Sequence, residues 1–197
     1  MTVNSESERL ALRLWFLTHR TRDAIRRCED QVFGKYGLTA EHYAVLSTMK
    51  LLGEPVRPTD LARALERSTN SVSMLIDRMV KAGLLKRVRD RSDRRVVNVT
   101  MTSKAENALK PATLAGWEFI RQILSPLSYE DRRAFVRLHE LVKYEALKYL
   151  EPGVDIEEIE KNDITNKPDI MEQLAQYVSA STRQATCQGS EKGKARR

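Results

Sequence analysis

The sequence predicts a mainly α fold with one small β-hairpin, and three observations carry that prediction. Apolar residues recur every three or four positions towards both ends of the 197-residue chain, the spacing of long amphipathic helices. Between them lie two shorter segments of the same kind, separated by a turn of a few residues. Directly afterwards, two Val-rich runs bracket the charged turn DRSDR, the pattern of paired antiparallel strands.

Taken in order, Leu10, Leu14, Leu17, Thr21, Ala24, Ile25, Cys28 and Val32 mark one face of a first long helix over 10–32, stopped near Gly34 and Gly37. Thr39 is expected to cap a second helix whose inner side carries Tyr43, Leu46 and Met49, ended by Gly53. Pro55 and Pro58 break the chain, and Thr59 is expected to cap a short helix burying Leu61, Ala62 and Leu65. A turn at 66–68 leads to a helix over 69–82, with Val72, Leu75, Ile76, Met79 and Val80 inward and Gly83 as its stop.

LLKRVR and RVVNVTM then form the hairpin. Ser103 opens a further long helix, expected to break or bend near Pro111, and Pro126 separates it from a last one. Ser128 and Asp131 form a capping pair for that last helix, which Phe135, Leu138, Val142 and Ala146 line before Pro152 and Gly153 end it. Beyond lies a tail expected to be mostly disordered, with Ile170, Met171, Leu174 and Val178 as its one short amphipathic stretch and the basic KGKARR at its end. Two short helices followed at once by a hairpin are the order of a winged helix-turn-helix. The expected division is 1–38 and 103–150 as flanking dimerisation helices, 39–102 as the winged unit and 151–197 as the tail.

Charge narrows the function. The net charge is +7, but residues 57–95 hold 11 Lys and Arg against 5 Asp and Glu, whereas 151–172 hold 8 acids against 2 bases. The basic block is a candidate polyanion footprint and the acidic one is not. No apolar run approaches the roughly 20 residues that span a bilayer. The opening MTVNSESERL lacks a basic stretch followed by an apolar one, so no secretory signal and a cytoplasmic location are expected. Cys28 and Cys187 form no CxxC pair, and His19, His42 and His139 are scattered, so no metal, cofactor or catalytic constellation is expected and the chain reads as a non-enzyme.

A helix in the major groove of double-stranded DNA would present the side chains of its first turns. Ser68, Thr69, Asn70, Ser71, Ser73 and Met74 are therefore the candidate reading residues. Asn70 has the donor and acceptor pair that matches adenine, whereas the hydroxyls discriminate weakly. On the wing, Lys86, Arg87, Arg89, Arg91, Arg94 and Arg95 would meet the backbone or a narrow minor groove. The competing account, in which Arg94 and Arg95 pair with Asp90 and Asp93 to hold the turn, accounts for one arginine and leaves the rest for phosphate.

The runs LTAEHYAVLSTM and PTDLARALERSTNSVSMLIDRMVKAGLLKRVRDRSDRRVVNVTMT resemble the MarR family of winged-helix regulators, through Asp90, Asp93, Arg94, Arg95 and Met101-Thr102. The resemblance implies that Asp93 orients Arg95 towards the minor groove, that residues 69–74 enter the major groove, and that the first and last long helices build a homodimer. Two such protomers would read half-sites about one helical turn, roughly 34 Å, apart in a pseudo-palindromic operator. It further implies a repressor released by a small aromatic effector, with Trp15, His19, Tyr43 and Trp117 as candidate pocket residues. Two alternatives stay open: oxidation sensing through Cys28, and a winged helix used as a protein-interaction module.

Overall fold

The computed structural model describes residues 5–89 and 97–163, as seven helices and one antiparallel hairpin. Helix α1 (Glu6–Gly34) begins at a capping box in which Ser5 and Glu8 exchange bonds. It ends where Gly37, at φ 72°, reverses the chain. Helix α2 (Ala40–Leu52) is capped by Thr39, as its sequence implied, with His42 completing the box. The Asp30 carboxylate, near the end of α1, also accepts the Ala40 amide at 2.8 Å.

Helix α3 (Pro58–Ala64) departs from expectation at its start. Thr59 lies inside the helix, and Arg57 is the cap residue without any side-chain bond. Proline explains the shift: Pro58 has the fixed φ of a first helical position and no amide needing a cap. The chain reverses at Glu66, φ 50°, and helix α4 (Thr69–Lys81) starts from Ser68, whose Oγ accepts the Ser71 amide. Leu61 and Ala62 of α3 and Val72, Leu75, Ile76 and Met79 of α4 are buried together.

Gly83, at φ 71°, turns the chain into strand β1 (Leu85–Arg89), which pairs antiparallel with β2 (Val97–Met101), Leu85 opposite Met101 and Arg89 opposite Val97. The pair is not isolated. Val56, in the segment between α2 and α3, exchanges two backbone hydrogen bonds with Val99 at 3.0 and 2.9 Å. The base of the wing is thereby tied to the loop entering α3.

Helix α5 (Ser103–Leu124), capped by Thr102, runs unbroken through Pro111. Proline removes one intrahelical donor, but Leu109, Ala112, Thr113 and Gly116 are buried on either side of it, and this packing holds the helix continuous. At Gly116 an added Cβ would lie 3.0 Å from the Phe33 ring of α1, which itself stacks on Tyr43 of α2 with centroids 4.1 Å apart. Gly116→Leu is accordingly expected to destabilise the fold by about 1–3 kcal/mol through overpacking, read as a lowered urea midpoint at unchanged slope.

Helix α6 (Tyr129–Leu150) has the expected Ser128 and Asp131 capping box and buries no residue. Phe135, Leu138 and Val142, expected to line it, are exposed, as are Leu10, Leu14 and Leu17 of α1 and Ile120 and Ile123 of α5. The chain after Gly153 does not begin irregularly: Asp155 caps helix α7 (Ile156–Asn162). Lys143 of α6 bridges Glu66 at 2.6 Å and Asp163 at 2.8 Å. Burial pulls the Lys143 ammonium down, but these two carboxylates outweigh it and hold its pKa above the ordinary value. The amphipathic stretch at Ile170, Met171, Leu174 and Val178 lies outside the described residues, as does Cys187. Among the described residues no helix is long and apolar enough to cross a membrane.

Candidate nucleic-acid interface

The outer face of α4 follows from its inner one. At about 100° per residue, burial of Val72, Leu75, Ile76 and Met79 turns Asn70, Met74, Asp77 and Lys81 outward within an arc of about 60°. Ser68, Thr69, Asn70, Ser71 and Met74 are exposed, and Ser73 is half-buried on the flank. The Ser68 hydroxyl donates to Ser71 Oγ at 2.8 Å and accepts the Ser71 amide at 3.2 Å, so these two serines hold the helix start. Thr69 and Asn70 are left as the forward polar groups.

Every other described helix has an acid in its first turn, and α4 has none. Its partial positive end is therefore uncompensated by its own side chains, the arrangement that favours a phosphate or a base acceptor.

Further along the same face Asp77 accepts Arg87 of β1 at 2.6 Å. Arg87, expected as a wing contact, is thus engaged with α4 and ties the hairpin to it. Lys86 and Arg89 remain exposed on β1, without an ion pair among the described residues. Arg91, Asp93, Arg94 and Arg95 lie outside the described residues, so the expectations placed on them stand on sequence.

One residue that sequence reasoning missed organises the rear of α4. Glu41, in the first turn of α2, receives Arg26 of α1 at 3.4 Å, Arg67 of the inter-helix turn at 3.2 Å and Arg78 of α4 at 3.7 Å. Burial would raise its pKa, but Arg67 and Arg26 reverse this and hold the carboxyl below the usual range. Each pair is partly exposed and individually weak. Together they join α1, α2 and α4 at one point. His42 beside it is pushed down by burial and by Arg78.

The four aromatic candidates do not form a single cluster, because Trp15 and His19 lie far along α1 from Tyr43. Trp15 packs edge-on to His19, with centroids 4.6 Å apart. Tyr43 stacks on Phe33, 18 residues further along α1 and so about 27 Å away. Burial raises the pKa of the Tyr43 hydroxyl. Trp117 is half exposed on α5. A cleft of about 490 Å³ lies elsewhere, lined by Ala64 and Glu66 beside α3, Leu147 of α6, and Val154, Ile159 and Asp163, and includes none of the four. Cys28 is a half-buried free thiol.

Comparison with known proteins adds to this geometry. The MarR family model matches residues 36–96. The chain is 34% identical over 103 residues to the HTH-type transcriptional regulator MgrA of Staphylococcus aureus, covering 52% of this chain and 69% of MgrA. It is 33% identical over 110 residues to the HTH-type transcriptional regulator PecS of Dickeya dadantii, covering 55% of this chain and 66% of PecS.

Among solved structures, the organohalide-sensing regulator RdhR-CbdbA1625 in its 2,4-dichlorophenol-bound form superposes with a TM-score of 0.66 at 23% identity, over 74% of this chain and 85% of that one. A mutant MarR from E. coli complexed with operator DNA superposes at 0.61 and 18% identity, over 70% and 99%. At these identities the likeness establishes the winged-helix fold.

Proposed function

The chain belongs to the MarR family of HTH-type transcriptional regulators, and from that premise we propose that it is a homodimeric repressor of a pseudo-palindromic double-stranded DNA operator. The observation that carries this reading is the first turn of α4, which is exposed, free of acids and tipped by Thr69 and Asn70. Such a turn approaches base edges without a side-chain carboxylate to repel the neighbouring phosphates. The wing arginines Arg91, Arg94 and Arg95 supply the backbone charge, with Asp93 orienting Arg95.

Dimerisation is supported by the exposed apolar faces of α1, α5 and α6, larger than scattered surface hydrophobes account for. Release by a small aromatic molecule draws its support from the relationship to RdhR-CbdbA1625, described as bound to 2,4-dichlorophenol. Trp15 and His19 would contribute to such a site apart from Tyr43, since much of α1 lies between them.

Binding-site selection from genomic fragments, followed by fluorescence anisotropy of the recovered duplex over a range of salt, tests the proposal. Affinity falling steeply with salt is the expected result, and salt-independent binding overturns it. On the selected duplex, Asn70→Ala is expected to cost about 1–3 kcal/mol and to relax preference at one base position per half-site. Sedimentation equilibrium checks the dimer.

A further inference from the structure

Met74 is 68% exposed and lies on the outermost line of α4, one turn beyond Asn70 and one turn before Asp77. We propose that Met74 reads a thymine methyl group in the major groove, beside the adenine read by Asn70. The two residues would thereby set an A·T preference at adjacent or next-adjacent positions of each half-site. The inference rests on the DNA-binding reading above and names the specificity within it.

Three features carry it. Along α4, Asn70 and Met74 are separated by about 6 Å of helix rise, one to two base-pair steps of a duplex. In the major groove thymine offers an apolar methyl where cytosine offers an amino donor, so an apolar side chain at that depth discriminates between them. Methionine, unbranched and polarizable, has the reach to fill that contact without a fixed shape.

The surroundings exclude a broader apolar role. Met74 is flanked on its face by Asn70, Asp77 and Lys81, and Asp77 is held by Arg87. Most of the exposed large apolar residues lie on α1, α5 and α6 instead. One thioether among polar neighbours is too small a patch for a protein partner and the right size for a methyl group. The Asp77 and Arg87 pair also occupies the next turn, which confines apolar readout on this face to Met74.

Uracil substitution removes the methyl group and leaves base pairing intact, so it tests the contact directly. In the tightest duplex returned by genomic selection, each thymine is replaced by uracil in turn and binding is measured for wild type, Met74→Ala and Met74→Leu. Wild type is expected to lose about fourfold in affinity at one thymine per half-site, the worth of one buried methyl. Met74→Ala should bind the thymine and uracil duplexes equally while keeping its adenine preference at the Asn70 position, and Met74→Leu should restore part of the difference.

Wild type indifferent to uracil at every thymine overturns the proposal, as does Met74→Ala retaining the full penalty. Failure of the DNA-binding reading is distinguishable, because no duplex would then be selected in a salt-dependent manner, and that result removes both. Since Met74 is exposed, an unchanged melting temperature in each variant confirms that the fold is intact.

Discussion

Replacing Arg91, Arg94 and Arg95 together with alanine is expected to weaken duplex binding by at least about a hundredfold and to flatten its salt dependence. Each phosphate deprived of its arginine lowers the slope of log affinity against log salt by about 0.9, so two or three per protomer lower it by roughly 4 to 5 in a dimer. Half of the described basic residues in 57–95 are already committed within the fold: Arg63 pairs with Asp60, Arg67 and Arg78 with Glu41, and Arg87 with Asp77.

Arg57, Lys81, Lys86 and Arg89 have no ion pair with another described residue: Arg57 caps α3, Lys81 ends α4, and Lys86 and Arg89 lie on β1. Two of these four described cations lie on the hairpin, and the wing arginines would add to them. Anisotropy titrations of the triple variant at several salt concentrations check this. An unchanged slope would place the phosphate contacts elsewhere, on Arg57 or Lys81.

Ile76→Ala should destabilise the protein by about 2–5 kcal/mol without touching the interface. Ile76 is 0% exposed, in the layer shared with Leu61 and Met79, and faces away from Asn70. Truncation removes buried apolar area and leaves a cavity that the surrounding helices fill only partly. Domains of this size have a total stability of about 5–15 kcal/mol, so the loss is a large share of the whole. Chemical denaturation should show a lowered midpoint at constant slope. At low temperature, where the variant remains folded, it should bind the selected duplex with wild-type affinity, which separates a core effect from a reading effect.

Much of the fold is legible locally. The boundaries of α2 and α6 follow from Thr39 and from Ser128 with Asp131, because a cap is a contact between residues three apart and its signal is written within one turn. The inner face of α4 follows from periodicity, and its outer face by subtraction, which is why Thr69, Asn70 and Met74 stand out in the sequence alone. Thr59 misleads because a good capping residue beside Pro58 loses to proline's fixed φ. Pro111 misleads for the opposite reason: its local preference to interrupt α5 is overridden by burial of the residues around it.

The order of helices and strands and the polar outer face of α4 are thus properties of the chain alone, since caps and periodicity are written within a few residues and the hairpin closes over one short turn. Which charges remain for a ligand, and what braces α4, are properties of the packed molecule. Val56 closes onto Val99, Arg87 turns to Asp77, and Arg26, Arg67 and Arg78 meet at Glu41. Packing also separates Trp15 and His19 from Tyr43 by most of the length of α1. These pairings join residues up to 43 positions apart, and no periodicity or cap encodes them. They exist only because burying the apolar faces brings the elements together and leaves each charge to find its nearest opposite.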